Sequence, residues 1–583
     1  VQLIPDHVEA HVGGEVLTAP AELGREIALG PLIVLLDHDV DADNEIAWSV
    51  ANRDDAPVAI RSVRLVHGVD HAGPLRMLRQ GYQSWSRTAV ATLGRERDPS
   101  TTPGSLEMMQ GVHHADQRSV VGDELRSEWV TVLADDGEEC VVAGFAAGID
   151  HDGTWRLRTN HNGRSQLAAE AFLGDATLAP GSLRPLHPFS LSHGSDAPSM
   201  LDTWATNAGT RHVARVHAPY QLGWCSWYHY FHDVTEEHIR SNLARAAEWP
   251  FEVFQIDDGY QAAIGDWLIT NEKFPSELSS LAALIECAGR QPGIWLAPFI
   301  TSPDSRVATE HPEWLALLPN GKPLWGMFNP SWGGGLDGVM YALDTTNPGV
   351  IEHLEHVART LVQAGFSYLK LDFTFAPSFD GVWGDTSFTP AQRVRAGYDA
   401  IRRGAGDDAF LLGCGAPLSH VVGVVDGNRI GPDVAPSWNR SDNELSIPGY
   451  SESEPATLHA WIDTLSRSFM HRRLWLNDPD CLMLRTDQTA MTPDAVETWA
   501  RAVGVSGGMA LVSDDLALLD SRSRALLDEV VQIGREVDDR AQQGPAPRCE
   551  DLLDASIPAH LRAAGYELVA DTDTAVSTLR SPP

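Results

Sequence analysis

From about Tyr220 onward the sequence repeats one unit: a short apolar run, a loop, then an amphipathic helical stretch. Eight runs read as strands: Leu222-Gly-Trp-Cys-Ser-Trp227, Phe251-Glu-Val-Phe-Gln-Ile256, Gly293-Ile-Trp-Leu-Ala297, Tyr341-Ala-Leu-Asp344, Tyr368 to Phe373, Phe410-Leu-Leu-Gly413, Asn428-Arg-Ile430 and Leu474-Trp-Leu-Asn477. Eight parallel strands alternating with helices close a (β/α)8 barrel. The helical segments carry their own boundary signals. Asn347 can cap, Pro348 suits the first helical position and Gly365 can end the helix, with Ile351, Leu354, Val357 and Leu361 as its apolar stripe.

The barrel reading carries a consequence for chemistry. Acidic residues fall again and again just after the strand runs: Asp257 and Asp258, Asp344, Asp372, Asp433, Asp478 and Asp480. In this fold the C-terminal strand ends form the mouth where reactions occur. One acidic strand end is only a turn; several along one chain make a site.

Residues 1–195 read differently. Short apolar runs such as Pro31-Leu-Ile-Val-Leu-Leu36, Val130-Thr-Val-Leu133 and Cys140-Val-Val-Ala-Gly-Phe145 alternate with Gly, Asp and Asn turn signals, which predicts a β-sandwich. The expected division is an N-terminal β-sandwich over 1–195, a barrel over 196–520 and a small C-terminal region over 521–583. In that last region Ser521 to Arg535 reads as helix and Tyr566-Glu-Leu-Val-Ala570 as strand.

Composition narrows the partners. A formal charge of −37 disfavours nucleic acid and anionic membrane surfaces as partners. No apolar run reaches the ~18 residues of a membrane span, and the N-terminus shows no signal-peptide pattern. Cys140, Cys225, Cys287, Cys414, Cys481 and Cys549 lie too far apart for a metal motif or a disulfide framework. A reduced, cytoplasmic enzyme is the expectation. Most of the 18 tryptophans are expected in cores, with a minority free to stack on sugar rings.

Within Tyr368-Leu-Lys-Leu-Asp-Phe373, alternation puts Lys370 and Asp372 on one face. A pairing between them keeps Asp372 ionised, as a carboxylate nucleophile requires; the plain alternative is an ion pair that only holds the barrel. Arg429-Ile-Gly-Pro-Asp433 repeats the arrangement, and Asp433 is the candidate general acid/base, with Trp438 as part of an apolar wall that raises its proton affinity. Its plain alternative is a turn aspartate after Pro432. Two carboxylates in different environments are the minimum equipment for glycoside hydrolysis. Asp257 and Asp258 suit adjacent sugar hydroxyls; a divalent cation is the rival reading. Trp224, Trp227, Trp295 and Trp325 are candidate pyranose platforms or core residues. Trp332-Gly-Gly-Gly-Leu336 lacks the strand-to-helix context of a phosphate loop.

These pieces occur in an order that resembles the glycoside hydrolase family 36 α-galactosidases of the shorter bacterial type. The matching motifs are Gly81-Tyr-Gln-Ser-Trp-Ser86, Leu222-Gly-Trp-Cys-Ser-Trp-Tyr228, Gln255-Ile-Asp-Asp-Gly-Tyr260, Gly293-Ile-Trp-Leu-Ala-Pro298, Leu369-Lys-Leu-Asp-Phe373, Gly413-Cys-Gly415, Asp426-Gly-Asn-Arg-Ile-Gly-Pro-Asp433 and Leu474-Trp-Leu-Asn-Asp-Pro-Asp480. The resemblance implies an N-terminal β-supersandwich, a catalytic (β/α)8 TIM barrel and a C-terminal β domain. This chain's last region carries fewer alternating runs than a full β domain needs. It further implies a retaining α-galactosidase, with Asp372 as nucleophile and Asp433 as acid/base. Asp257 and Asp258 would hold the O4 and O6 side of galactose, Lys370, Cys414 and Arg429 other hydroxyls. Trp295 and Trp224 would line the pocket, with Trp85 reaching it from the N-terminal domain. Small α-galactosides are the implied partners, with no metal or organic cofactor and an unspecified oligomeric state. The alternatives are an α-N-acetylgalactosaminidase, a galactosyltransferase of the same fold, or a non-catalytic sugar-binding barrel.

Overall fold

The computed structural model describes residues 1–38, 45–95, 124–332, 338–439 and 455–582. The described residues up to Gly194 form two antiparallel sheets, one of six strands and one of eight. The first is built around the long strands Val58–Asp70 and Ser165–Leu178. In the second, Glu45–Asn52 shows the two-residue period expected of a half-covered strand, with Ile46, Trp48, Val50 and Asn52 buried. Further along the same sheet Val130–Ala134 and Cys140–Phe145 are buried on both faces. The helix Ala197–Arg211 supplies part of that cover: Trp204 lies directly over Gly144 and donates to the Phe145 carbonyl at 3.2 Å.

Eight strands in parallel register make the barrel: Leu222–Cys225, Val253–Ile256, Gln291–Leu296, Tyr368–Leu371, Phe410–Gly413, Gly427–Arg429, Leu476–Asp478 and Ala510–Val512. Between its seventh and eighth strands the wall is closed by Met509 donating to Asn477 at 2.9 Å and Leu482 to Leu511 at 2.7 Å. One expected strand is therefore wrong. Tyr341 belongs to Val339–Ala342, which pairs antiparallel with Ile300–Thr301 and Trp325–Phe328 in a three-stranded excursion after the third barrel strand. The eighth barrel strand is instead Ala510–Val512, three buried residues following Gly507 in the left-handed region at the end of the helix Pro493–Ser506. A three-residue apolar run shows too little period to be told from the end of a helix.

The helix Pro348–Gln363 starts as its sequence indicates, with the Asn347 side chain accepting from Gly349 at 2.8 Å. Its buried stripe includes Val350, Leu354, Val357 and Leu361, while Ile351 is only half-buried. Each fully buried aliphatic side chain contributes roughly 1.5–3 kcal/mol. After the barrel comes a 23-residue helix, Ser521–Gln543, capped by Asp520. A four-stranded antiparallel sheet follows, made of Arg548–Cys549, His560–Ala563, Tyr566–Asp571 and Val576–Arg580. No helix among the described residues is long and apolar enough to cross a membrane.

Candidate active site

Strand alternation determines which side chains reach the barrel mouth. Gln255 and Asp257 point inward from the second strand, since the Gln255 amide donates to Asp257 Oδ2, and the Cys225 thiol does so at 3.4 Å. Lys370 points inward from the fourth strand and donates to the same Asp257 oxygen at 2.9 Å. This corrects the expected partnership: the lysine's ion pair is with Asp257, and Asp372 receives only its field. The reason is geometric. Asp372 follows the strand's last residue, and Phe373 after it has φ 51°, so the chain is already turning.

Asp372 is buried and accepts from Trp295 Nε1 at 2.9 Å and from the Phe373 N–H at 2.8 Å. Burial pushes its carboxyl above the usual range, and the Lys370 charge and the Trp295 donor counter this only in part. Trp295 stands opposite Lys370 in the register of neighbouring strands, which is why its indole reaches the mouth.

Asp258 accepts from the Gln261 amide at 2.6 Å and from Trp332 Nε1 at 2.7 Å. Burial pushes its carboxyl up to about 6, the charges of Asp257 and Asp372 adding to the effect. The oxygens of Asp257 and Asp258 are thus met by N–H donors and an ammonium, a setting for hydroxyl recognition better than for a cation. Among the described residues no three His, Cys, Asp or Glu are grouped to hold a metal ion.

Across the mouth, Arg429 ends the sixth strand and is fully enclosed. Its Nη1 donates to Asp433 Oδ1 at 3.1 Å, its Nε to Asp478 Oδ2 at 3.1 Å, and its Nη2 lies 2.8 Å from Asp480 Oδ1. Burial alone would weaken its hold on the proton, but Asp480 and Asp478 reverse this and keep it charged. The Asp433 side chain keeps 34% exposure, far more than the other carboxylates here, so it faces the open mouth. Cys414 sits between the two halves, buried, with its thiol pushed well up by burial and then by the Asp372 charge.

The N-terminal sheets contribute to this site. Ser84 N–H donates to the Ala416 carbonyl at 3.1 Å and Leu418 N–H to Tyr82 at 3.0 Å, stitching the loop after Arg79 to the loop after the fifth strand. Trp85 then packs edge-on against Phe373 at 5.0 Å and Phe375 at 5.9 Å. Gly415 has φ 51°, and a Cβ there would stand 2.9 Å from the Trp85 ring, so only glycine fits.

Residues 217–375 match the Melibiase family model. The α-galactosidase AgaA of Geobacillus stearothermophilus is 29% identical over 155 residues, 25% of this chain and 20% of that protein. The chain's match thus spans about a fifth of that relative's length. In solved structures the likeness is wider. The α-galactosidase TtGalA of Thermus thermophilus, solved with p-nitrophenyl α-D-galactopyranoside, has TM-score 0.67 at 23% identity over 97% of this chain and 99% of that one. The GH36 α-galactosidase AgaA from Geobacillus stearothermophilus gives 0.60 at 15% identity over 96% and 81%. The fold is that of the glycoside hydrolase family 36 α-galactosidases.

Within this GH36 fold the structure brings together Asp257, Asp258, Trp295, Lys370, Asp372, Cys414, Arg429 and Asp433, with Trp85 at the rim. Trp224 is a correction. It alternates with inward-facing Cys225, stacks on Phe254 at 4.3 Å and donates to the Asp514 carbonyl at 2.8 Å, all on the helix-facing side of the wall. Trp438 likewise turns to the C-terminal strands, donating to Thr572 at 2.8 Å. Trp332 was not singled out by sequence, because it arrives from the excursion between the third and fourth strands. Its ring lies 5.0 Å from Phe373 and 6.3 Å from Trp295. The rest of the glycine cluster after it lies outside the described residues. Gln261 carried a weak signal, three residues after Asp258 in a turn.

Proposed function

We propose that the chain is a retaining α-galactosidase acting on small α-galactosides of the melibiose and raffinose type. The observation that carries this reading is that Asp372 and Asp433 edge one mouth from different strand ends, the Asp433 carboxylate near enough for its charge to oppose ionisation of Asp372. Asp372 is enclosed and aimed by Trp295, as suits a nucleophile; Asp433 is held by Arg429 and open on its other side, as suits a group that trades protons with leaving group and water.

In the first step Asp372 attacks the anomeric carbon while Asp433 gives its proton to the departing glycosidic oxygen, forming a covalent β-galactosyl-enzyme. In the second, Asp433 takes a proton from water, whose oxygen displaces Asp372 and restores the α configuration. Asp257 and Asp258 accept from the hydroxyls at the O4 and O6 end, with Lys370 holding the Asp257 carboxylate in place. Asp258, with its proton affinity raised to about 6, also donates once protonated. Arg429 and Cys414 face the remaining hydroxyls, and the Trp295 and Trp85 rings wall the pocket.

Hydrolysis of p-nitrophenyl α-D-galactoside, followed by NMR before mutarotation, tests the proposal. Release of α-galactose first is the expected result. Release of β-galactose overturns the retaining step, and no release from folded protein overturns the substrate.

A further inference from the structure

We infer that Asp480, together with Tyr228, is a positioning residue for Asp433. The inference rests on the reading of Asp433 as acid/base and goes beyond it, since Asp480 and Tyr228, both buried, act on Asp433 only through Arg429 and Val434. Asp433 lies in a loop with no regular secondary structure, so its own backbone neighbours give it little support. Asp480 supports it from two directions. Its Oδ1 is 2.8 Å from Arg429 Nη2, and the same guanidinium grips Asp433 through Nη1. Its Oδ2 accepts the N–H of Val434, the residue directly after Asp433, at 2.9 Å, and also the Tyr228 hydroxyl. One carboxylate therefore fixes both the side-chain grip on Asp433 and the backbone beside it.

The backbone at Asp480 is itself unusual. Its φ is 89°, a region that a non-glycine residue rarely occupies. The Cys481 N–H on Asp480 Oδ1 at 2.7 Å and the Asp480 N–H on Asp478 Oδ1 at 3.0 Å hold it there. With this turn both Asp478 and Asp480 reach Arg429. Tyr228, from the short helix Trp227–Tyr230 after the first strand, braces the far side of Asp480. The arrangement is costly: burial, then the neighbouring carboxylates, push the Asp480 carboxyl up to about 6 despite Arg429. A fold needing only a filled space would place an apolar residue there.

The test compares two substrates on the full chain. 2,4-Dinitrophenyl α-D-galactoside leaves without protonation, whereas melibiose requires a placed acid. For Asp480→Asn the expected loss in kcat/KM is about tenfold or more on melibiose, part of the ~10²–10⁴ that general acid–base catalysis supplies. On the activated substrate it stays within about threefold. Azide, which needs no base, should accelerate turnover of the activated substrate by displacing Asp372 from the galactosyl-enzyme, giving α-galactosyl azide. Tyr228→Phe keeps the ion pairs intact and should show the same split with smaller amplitude, so the test survives poor folding of Asp480→Asn. Equal losses on both substrates, or none on either, overturn the inference. A wild type that cleaves neither overturns the galactosidase reading and this inference with it.

Discussion

Lys370 Nζ stands 2.9 Å from Asp257 Oδ2, so the lysine that precedes Asp372 by two residues serves a carboxylate on a different strand. The two side chains are buried together; burial would weaken the hold of Lys370 on its proton, and the Asp257 charge beside it reverses this. Asp372 is left to its own donors and a raised proton affinity, while at the hydroxyl-facing end the ammonium balances Asp257 and burial raises the proton affinity of Asp258.

A double-mutant cycle reads this pairing. Lys370→Met and Asp257→Asn each leave a buried charge without its partner and should cost about 3–5 kcal/mol in unfolding free energy at pH 7. The double variant should cost less than the sum by about 1–3 kcal/mol. The matching cycle with Asp372→Asn should show a smaller coupling. Equal couplings would mean that the lysine divides its charge between both carboxylates.

Asp372 as nucleophile predicts a specific rescue. Asp372→Gly should lose hydrolysis of the nitrophenyl α-galactoside almost entirely, and azide entering the vacated space should restore release of the phenol. The product is β-galactosyl azide, because azide then attacks once and inverts. An α-azide, or no rescue, counts against the assignment.

The sequence made the barrel readable because each strand run is apolar and closes on a polar residue, and Asn347-Pro348 marks a helix start without ambiguity. It could not separate the strand Val339–Ala342 from the barrel wall, because periodicity is the same for a parallel and an antiparallel strand. The carboxylates were legible by position, but their partners were not: which of two acids Lys370 meets depends on where the chain turns, here at Phe373. Trp224 misled for a similar reason. One residue of register separates the inner from the outer face of a strand, and only the pairing of Trp224 with Phe254 decides it. Trp332 was out of reach, since nothing local ties the excursion to Asp258.

Asp258 makes stability fall as pH rises. Its carboxyl is pushed up to about 6 in the folded chain, against about 3.9 in an unfolded one. Between those values the folded chain holds a proton that the unfolded chain has lost. The group's stabilisation is therefore complete below about pH 4 and is lost as pH rises through about 6, a difference of about 3 kcal/mol by pH 7. Asp258→Asn cannot ionise and should melt higher than wild type at pH 7, with the gap closing toward pH 4, while activity falls because a hydroxyl acceptor is gone. A gap that is constant from pH 4 to 8 would show that Asp258 carries no such linkage.

Arg467 connects the N-terminal loop to the catalytic one. Fully enclosed, it donates from Nη1 to the Ser84 and Ile430 carbonyls, both at 2.7 Å, from Nε to Thr88 Oγ1 at 2.9 Å, and from Nη2 to the Ser86 carbonyl. Ser84 and Ser86 flank Trp85, and Ile430 follows Arg429, so one guanidinium sets the rim tryptophan against the strand end that carries the Asp433 loop. Arg467→Leu strands several buried carbonyls at about 1–3 kcal/mol each and should lower the melting temperature. It should also raise KM for the nitrophenyl α-galactoside more than it lowers kcat, because Trp85 loses its seat against Phe373. Arg467→Lys should recover little, since an ammonium on a flexible stem cannot span acceptors fixed by a planar fork. Trp85→Ala should reproduce the KM rise with a smaller loss of stability. A lowered melting temperature with KM unchanged in both variants would mean that the loop braces the barrel without shaping the pocket.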